Sequence, residues 1–275
     1  MAIIAISRGT YSGAEALARR IAELLGYPYL NRERAVAAAA QQYRIPAEEL
    51  TAAMGRRPSF WNRTLGVQIA FLPAMRATIC AHIKQDALVY SGYGGHLLLP
   101  TIPSVISVRA IADLETRVHA MRERKSLSPA QARAELETED RARREWTRFL
   151  FGVAWEDPIL YHLVLNLSRL DLETATTTVA HMIESPQFQP TPASRKALQD
   201  FALHSRVMAT LAMDFRTRDA RLKVTVDGGV VTIAGTTHWS EVAEAVPAVV
   251  RRVEGVTEVK SEITGGAPPP GLTWY

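Results

Sequence analysis

The run Arg8-Gly9-Thr10-Tyr11-Ser12-Gly13 follows a short isoleucine-rich stretch, Ile3-Ile4-Ala5-Ile6-Ser7. It precedes Ala14 to Leu25, in which Leu17, Ile21, Leu24 and Leu25 share one helical face. A buried strand, a tight glycine loop and a helix in that order turn the free N–H groups and positive dipole end of the helix toward the loop, an arrangement that holds phosphate. The full phosphate-loop signature adds a lysine and then Ser or Thr just after its last glycine. Here those positions hold Ala14 and Glu15, so the geometry is expected without the charge.

A second concentration of chemistry is cationic: Arg122-Glu123-Arg124-Lys125 and, further on, Asp140-Arg141-Ala142-Arg143-Arg144. Arginine suits bidentate contact with phosphate oxygens, and a helical pair carrying Arg122, Arg124, Arg141 and Arg144 would make a lid over a transferring phosphoryl group. The competing reading is a solvated helix face with pairs such as Glu137 with Arg141 and Glu139 with Arg143. Ser91-Gly92-Tyr93-Gly94-Gly95 is a turn where the backbone can approach a ligand closely. The histidines are scattered singly, and Cys80 sits in an apolar helical pattern, so no metal-ligand set is assigned.

The elements that must position these residues alternate. Strands are expected at Ala87 to Tyr90, Val105 to Val108 and Leu163 to Leu165. Helices are expected after Asn31, from Pro46, across Ser59 to Gln85 with Pro73 breaking or kinking it, from Asp113 to Arg124, after Ser128-Pro129 to about Phe149, and from Asp171 to Ile183. That alternation predicts an α/β layer fold with a parallel sheet. At Ser185 to Pro192 three prolines with polar neighbours read as a linker. Beyond it come an amphipathic helix from Ser194 to Met213, a strand at Leu222 to Val226, a hairpin at Asp227-Gly228-Gly229, a return strand to Gly235, a helix from Ser240 to Val253 and a last strand from Val256 to Ile263. The helix from Ser194 offers apolar residues to more than one side, so part of it is expected to pack outside its own unit. The tail from Gly265 to Tyr275 is expected to be loose. The division is therefore 1–185, a linker 186–193, a second unit 194–264 and a tail 265–275.

The formal charge of +4 with a pI near 9.3 fits a nucleotide or an acidic surface as partner, and no nucleic-acid partner is expected. No run approaches the length of a membrane span and no secretory signal opens the chain, which reads as cytoplasmic.

Ile6-Ser7-Arg8, Ser12-Gly13, the Gly92 turn, Arg122-Glu123-Arg124 and Tyr161 through Asn166-Leu167-Ser168, taken together, resemble the cytidylate kinase-like family over roughly residues 1 to 185. The resemblance implies a P-loop nucleoside-monophosphate-kinase fold, a parallel sheet flanked by helices, with an arginine lid. It implies ATP with Mg²⁺ and a CMP-like acceptor. Ser7, Arg8, Ser12, Gly13 and Ala14 then match a degenerate donor-phosphate loop. Asn31, Gly92, Tyr93 and Gly94 stand at the acceptor site, and Arg117, Arg122, Arg124, Arg141 and Arg144 are lid and flanking arginines. The departures fall on charge: Ala14 where ordinary members have lysine, Glu15 where the loop commonly has arginine, Asn31 where an acidic residue is usual, and Tyr93 in place of the arginine of a Gly-Arg-Gly turn. Asp227-Gly228-Gly229-Val230-Val231-Thr232-Ile233-Ala234-Gly235 and Val253-Glu254-Gly255-Val256-Thr257-Glu258-Val259 resemble a BON domain, a small α+β unit of order αββαβ. It carries no catalytic constellation and implies a regulatory or assembly role, through a protein partner or a second copy of the chain.

Two functions of different class stay open at this point. One is a nucleoside monophosphate kinase that moves a phosphoryl group from ATP to CMP or a similar acceptor. The other is a catalytically silent, nucleotide-responsive regulator or scaffold acting through the BON-like unit.

Overall fold

The computed structural model describes residues 2–55, 65–92, 94–99, 102–218, 220–237 and 239–265, with 54–55, 65–70 and 265 described by backbone alone. Tyr93, Trp61, the side chain of Ile69 and the tail beyond Gly265 lie outside what is described. The N-terminal sheet is parallel throughout, in the order β2-β3-β1-β4-β5, from β1 (Ile3–Arg8), β2 (Tyr29–Asn31), β3 (Leu88–Gly92), β4 (Val105–Ile111) and β5 (Leu163–Asn166). Strand β1 is central because both its faces are apolar. Ile3 and Ala5 join a core with Leu30, Tyr90 and Val105, while Ile4 and Ile6 join another with Val89, Ile106 and Val108. Period-two alternation thus gives one strand two hydrophobic layers.

Helices α1 (Ala14–Leu25) and α8 (Leu172–Glu184) cover the second face through Leu17, Ile21, Ala175 and Val179. Helices α2 (Arg32–Tyr43), α3 (Ala47–Gly55) and α4 (Leu65–Ala81), with the four-residue α5 (Gly95–Leu98), cover the first. The hairpin of α6 (Leu114–Lys125) and α7 (Pro129–Phe151) stands over the C-terminal ends of the strands, its own small core made by Val118, Met121, Ala132 and Leu136. Ser128 and Gln131 form a reciprocal capping box at the start of α7, with Pro129 at its first position.

Three local expectations change. Strand β2 was absent from the sequence reading because three residues are too few to show alternation; it forms by pairing with β3. Pro73 lies inside α4 rather than ending it, since the tertiary packing of Phe71, Ala74 and Met75 holds the helix across it. The stretch read as a linker is docked: Pro186–Phe188 is a short 3₁₀ turn, Phe188 is buried with the α8 core, and Thr191 caps the following helix.

That helix, α9 (Pro192–Met213), belongs to both halves. Leu198 and Ala209, with Phe201 and Met213, join the core around α4, whereas Leu203, Val207 and Leu211 face the C-terminal sheet. The latter sheet runs β6 (Leu222–Asp227), β7 (Val230–Thr237) and β8 (Glu258–Gly265), with β6 and β7 antiparallel, β7 and β8 parallel, and α10 (Ser240–Val250) packed through Val246, Val249 and Val250. Gly228 and Gly229 turn the hairpin with φ of 56° and 90°, the left-handed pair that a two-residue turn matched to strand twist requires. Element order is αββαβ.

Candidate functional site

Strand β1 delivers its C-terminal end, Ser7 and Arg8, to a loop of five residues before α1 begins. The loop closes on itself: the Ser12 N–H and hydroxyl both donate to the Gly9 carbonyl, at 3.2 and 2.9 Å. Gly13, with φ of 80°, is the N-cap of α1, and no side chain caps that helix. The first-turn N–H groups of α1 have no acceptor within their own helix, so they and the dipole face the loop. A cavity of about 720 Å³ opens there. It is lined by the loop from Arg8 to Gly13, by Ala14 and Glu15, by Asn31, Arg32 and Glu33 at the start of α2, and by Arg124, Lys125 and Glu139 of the hairpin above. Tyr11 leans on the Val118, Met121 and Leu136 cluster, so that volume stays open.

The electrostatics of the cavity are not those of an open phosphate cradle. Arg8, only 15% exposed, lies 2.5 Å from Glu33 Oε1 and 3.8 Å from Glu15 Oε2. Glu15 also takes Arg19 at 2.8 Å, and Glu33 takes Arg32 at 3.2 Å. Burial of Glu33 acts to raise its pKa, but Arg8, its backbone hydrogen bond and Arg32 outweigh it and hold the carboxylate below its ordinary range. Lys125 is bound to Glu135. Ala14 is 2% exposed and packs in the α1 core, so the position that a phosphate-loop lysine would occupy is filled by a methyl group among hydrophobes.

The acceptor-side residues are spread around one rim. Asn31 lines the cavity and its Oδ1 accepts from the Arg34 N–H at 2.9 Å, which caps α2. Gly92 ends β3 beside Ser7, and a Cβ there would stand 2.3 Å from the Tyr90 hydroxyl, so only glycine fits. Gly94, with φ of 62°, caps α5. Of the four lid arginines, Arg124 alone lines the cavity. Arg122 donates to the Leu127 carbonyl at 3.4 Å, beyond the end of α6. Arg141 and Arg144 line a separate cleft of about 250 Å³ with Arg148, and Arg144 pairs with Glu156 at 2.9 Å.

The arginine that meets the loop is Arg143. It is 4% exposed, and it donates from Nη1 to the Arg8 carbonyl at 2.6 Å and from Nη2 to Thr10 Oγ1 at 2.8 Å. Its guanidinium lies 4.7 Å from the ring of buried Trp155, and that of Arg109 lies at the same distance. Arg117 adds a bond from Nε to the Thr10 carbonyl at 2.7 Å and pairs with Asp140 at 2.8 Å. Tyr161 donates to the Trp155 carbonyl at 2.6 Å and lies 3.3 Å from Ser7 Oγ. The hairpin is thus latched to the loop by Arg143 and Arg117, while Arg124 is the lid arginine that lines the cavity.

A model of the cytidylate kinase-like family matches residues 3–169. The chain belongs to the cytidylate kinase-like family. A BON domain model matches residues 199–267, the unit built on α9 and the three-stranded sheet. An uncharacterized protein from Eubacterium ventriosum is similar in structure at 19% identity and a TM-score of 0.52, covering 67% of this chain and 99% of that one. A shikimate kinase from Bacteroides thetaiotaomicron (10% identity, TM-score 0.42, 67% and 99% covered) and a gluconokinase from Sinorhizobium meliloti (16%, 0.39, 69% and 98%) are more distant. No curated protein matches the chain.

Within this kinase-like domain a nucleotide triphosphate fits the cavity by size and by the helix end it faces. Magnesium does not fit. Its usual Ser or Thr position is Glu15, and the carboxylates Glu15 and Glu33 are both engaged by arginine. Among the described residues no group of three or more His, Cys, Asp or Glu could hold a metal ion. Nor does any described helix have the length and apolarity to cross a membrane.

Proposed function

We propose that the cytidylate kinase-like domain binds nucleotide phosphates in the loop cavity without transferring them, and that the BON domain carries the output to a protein partner or a second copy of the chain. One observation carries this reading: Arg8, the cation nearest the loop, is already neutralised by Glu33 and Glu15. Phosphoryl transfer depends on positioned cations that balance charge developing on the transferred group. Here the lysine position is Ala14, Arg8 is paired, and Arg143 is held by the Arg8 carbonyl and the Thr10 hydroxyl. The α1 N-terminus supplies partial positive charge, which is enough to bind an anion but not to stabilise the charge that develops on the leaving and transferring oxygens. Helix α9, shared between the α4 core and the BON core, supports a mechanical route from one domain to the other.

The second reading, transfer from ATP to CMP, is supported by Arg124 and Lys125 in the same cavity. A transfer assay separates the two. Full-length protein with γ-labelled ATP, Mg²⁺ and each of CMP, UMP, dCMP and AMP is expected to give no labelled diphosphate above the protein-free control, while nucleotide binding is measurable by calorimetry. Turnover at an ordinary kinase rate, about 1 s⁻¹ or faster, would establish the second reading instead.

A further inference from the structure

We propose that β8 is a docking edge for a second copy of this chain, and that two BON sheets join through it, antiparallel about a two-fold axis at Ser261, into one continuous sheet. This deepens the second-copy arm of the proposed function and rests on that reading only for the use made of the contact. Strand β8 (Glu258–Gly265) is the last in its sheet: β7 pairs with one side of it, and among the described residues no strand pairs with the other. An exposed edge is a template for another strand unless the chain blunts it with Pro, a bulge, very short length or a charge pointing inward. β8 has eight residues, none of them Pro, in unbroken register with β7. On its helix-covered face Val259 and Ile263 pack on the BON core, and Ser261, placed between them by period two, is exposed, so the helix layer leaves the middle of the edge open. The opposite edge, β6, is shorter, and its Asp227 is already bound to Lys196.

The charges on the solvent face choose the partner and the register. Glu258, Lys260, Glu262 and Thr264 share that face and all are exposed. Across the pairing with β7 they meet Val230, Thr232, Ala234 and Thr236, none of them charged, and within the strand Lys260 comes only to 3.9 Å from Glu258. When a second β8 is laid antiparallel with Ser261 opposite Ser261, each Lys260 faces Glu262 of the other copy, and each Val259 faces Ile263 of the other copy. The contact is self-complementary, as a two-fold interface must be, and it carries the apolar layer across the joint. Glu258 falls opposite Thr264, so no like charges oppose each other. The strands meet in matching alternation, so the outward N–H and C=O groups of one face those of the other. Other registers do worse. Centring on Lys260 sets Lys260 against itself and Glu258 against Glu262, and centring on Glu262 sets Glu262 against itself. Centring on Val259 matches the charges but overlaps only Glu258 to Lys260 of each strand. A slip by an odd residue sets core-facing side chains of one copy beside solvent-facing ones of the other.

The test is sedimentation velocity on the full-length protein without nucleotide. The mass is expected to double from the 30.4 kDa of one chain as concentration rises to about 100 µM. Lys260→Glu and Glu262→Lys each turn two attractive pairs into two repulsive ones, and each should weaken the dimer at least about tenfold. Both positions lie opposite uncharged residues of β7, so the fold is expected to stand, and circular dichroism checks it. The double variant Lys260→Glu/Glu262→Lys restores both pairs with their signs exchanged and should dimerise like the native chain. A native chain that stays monomeric at about 100 µM, a dimer indifferent to both single reversals, or single variants that the double does not rescue would overturn the proposal. None of these outcomes depends on nucleotide binding or phosphoryl transfer, so the reading of the loop cavity stands or falls separately.

Discussion

Arg143 reaches from the fifth turn of the lid hairpin's long helix to the Arg8 carbonyl, 2.6 Å away and 135 residues distant in sequence. With its second bond to Thr10 Oγ1 and the Trp155 ring against its face, it ties the hairpin to the loop. The neighbouring Arg141 and Arg144 point into another cleft.

Removing Arg143 and removing its neighbours should therefore differ. Arg143→Ala deletes hydrogen bonds from a buried charged group and is expected to lower stability by about 3 kcal/mol. Arg141→Ala and Arg144→Ala should each cost less than about 1 kcal/mol, because exposed pairs are worth little. Urea unfolding of the three variants checks this, and equal losses in all three would contradict it.

The hairpin also shows what could be read in advance. Ala132, Leu136, Asp140, Arg143 and Thr147 recur at spacings of three or four along α7, and they are buried or partly buried. The apolar residues Ala132 and Leu136 start a stripe that, continued by helical period, lands on Arg143 and misses Arg141 and Arg144. Treating the run Arg141 to Arg144 as one charged face hid that. The strand, loop and helix at the N-terminus were legible because burial on both faces leaves an unbroken apolar run, and the BON unit because its Gly-Gly turn is demanded by strand twist. The Arg8 pairing with Glu33 was not legible. It joins residues 25 apart that are brought together by the β2–β3 pairing ahead of α2.

His96 gives the fold a dependence on pH. Its folded pKa is about 4 against 6.5 when exposed, so between those values the unfolded chain binds a proton that the fold excludes. The contribution is fully present above pH 6.5 and is lost as pH falls toward 4, by about 3 kcal/mol in all. His162 and His204, also lowered by burial, act in the same direction. Urea midpoints at pH 7.5, 6.5, 5.5 and 5.0, a range above most carboxylate titration, should fall steadily below 6.5. His96→Phe should flatten the curve, and a midpoint independent of pH in the native chain would contradict the assignment.

The joint between domains makes a prediction about truncation. Leu198, Phe201, Ala209 and Met213 lend α9 to the α4 core, so a chain cut after Pro190 loses that cover. The N-terminal piece is expected to expose apolar surface and aggregate, while the piece from Thr191 keeps the Leu203, Val207 and Leu211 face for its own sheet and folds. Light scattering on both pieces decides it. If both are monomeric and have no affinity for each other, α9 is a tether and cannot couple the domains.

The central claim is that Glu33 withholds Arg8 from phosphate, and calorimetric titration of ATP into the full-length protein and into Glu33→Gln tests it most directly. Glutamine keeps the shape and removes the charge, so Arg8 gains an electrostatic reason to meet the nucleotide. The variant is expected to bind ATP about tenfold more tightly, a gain of about 1.4 kcal/mol, with a steeper loss of affinity as salt is raised. Equal or weaker binding by Glu33→Gln would contradict the account, because the carboxylate would then not be what silences the loop.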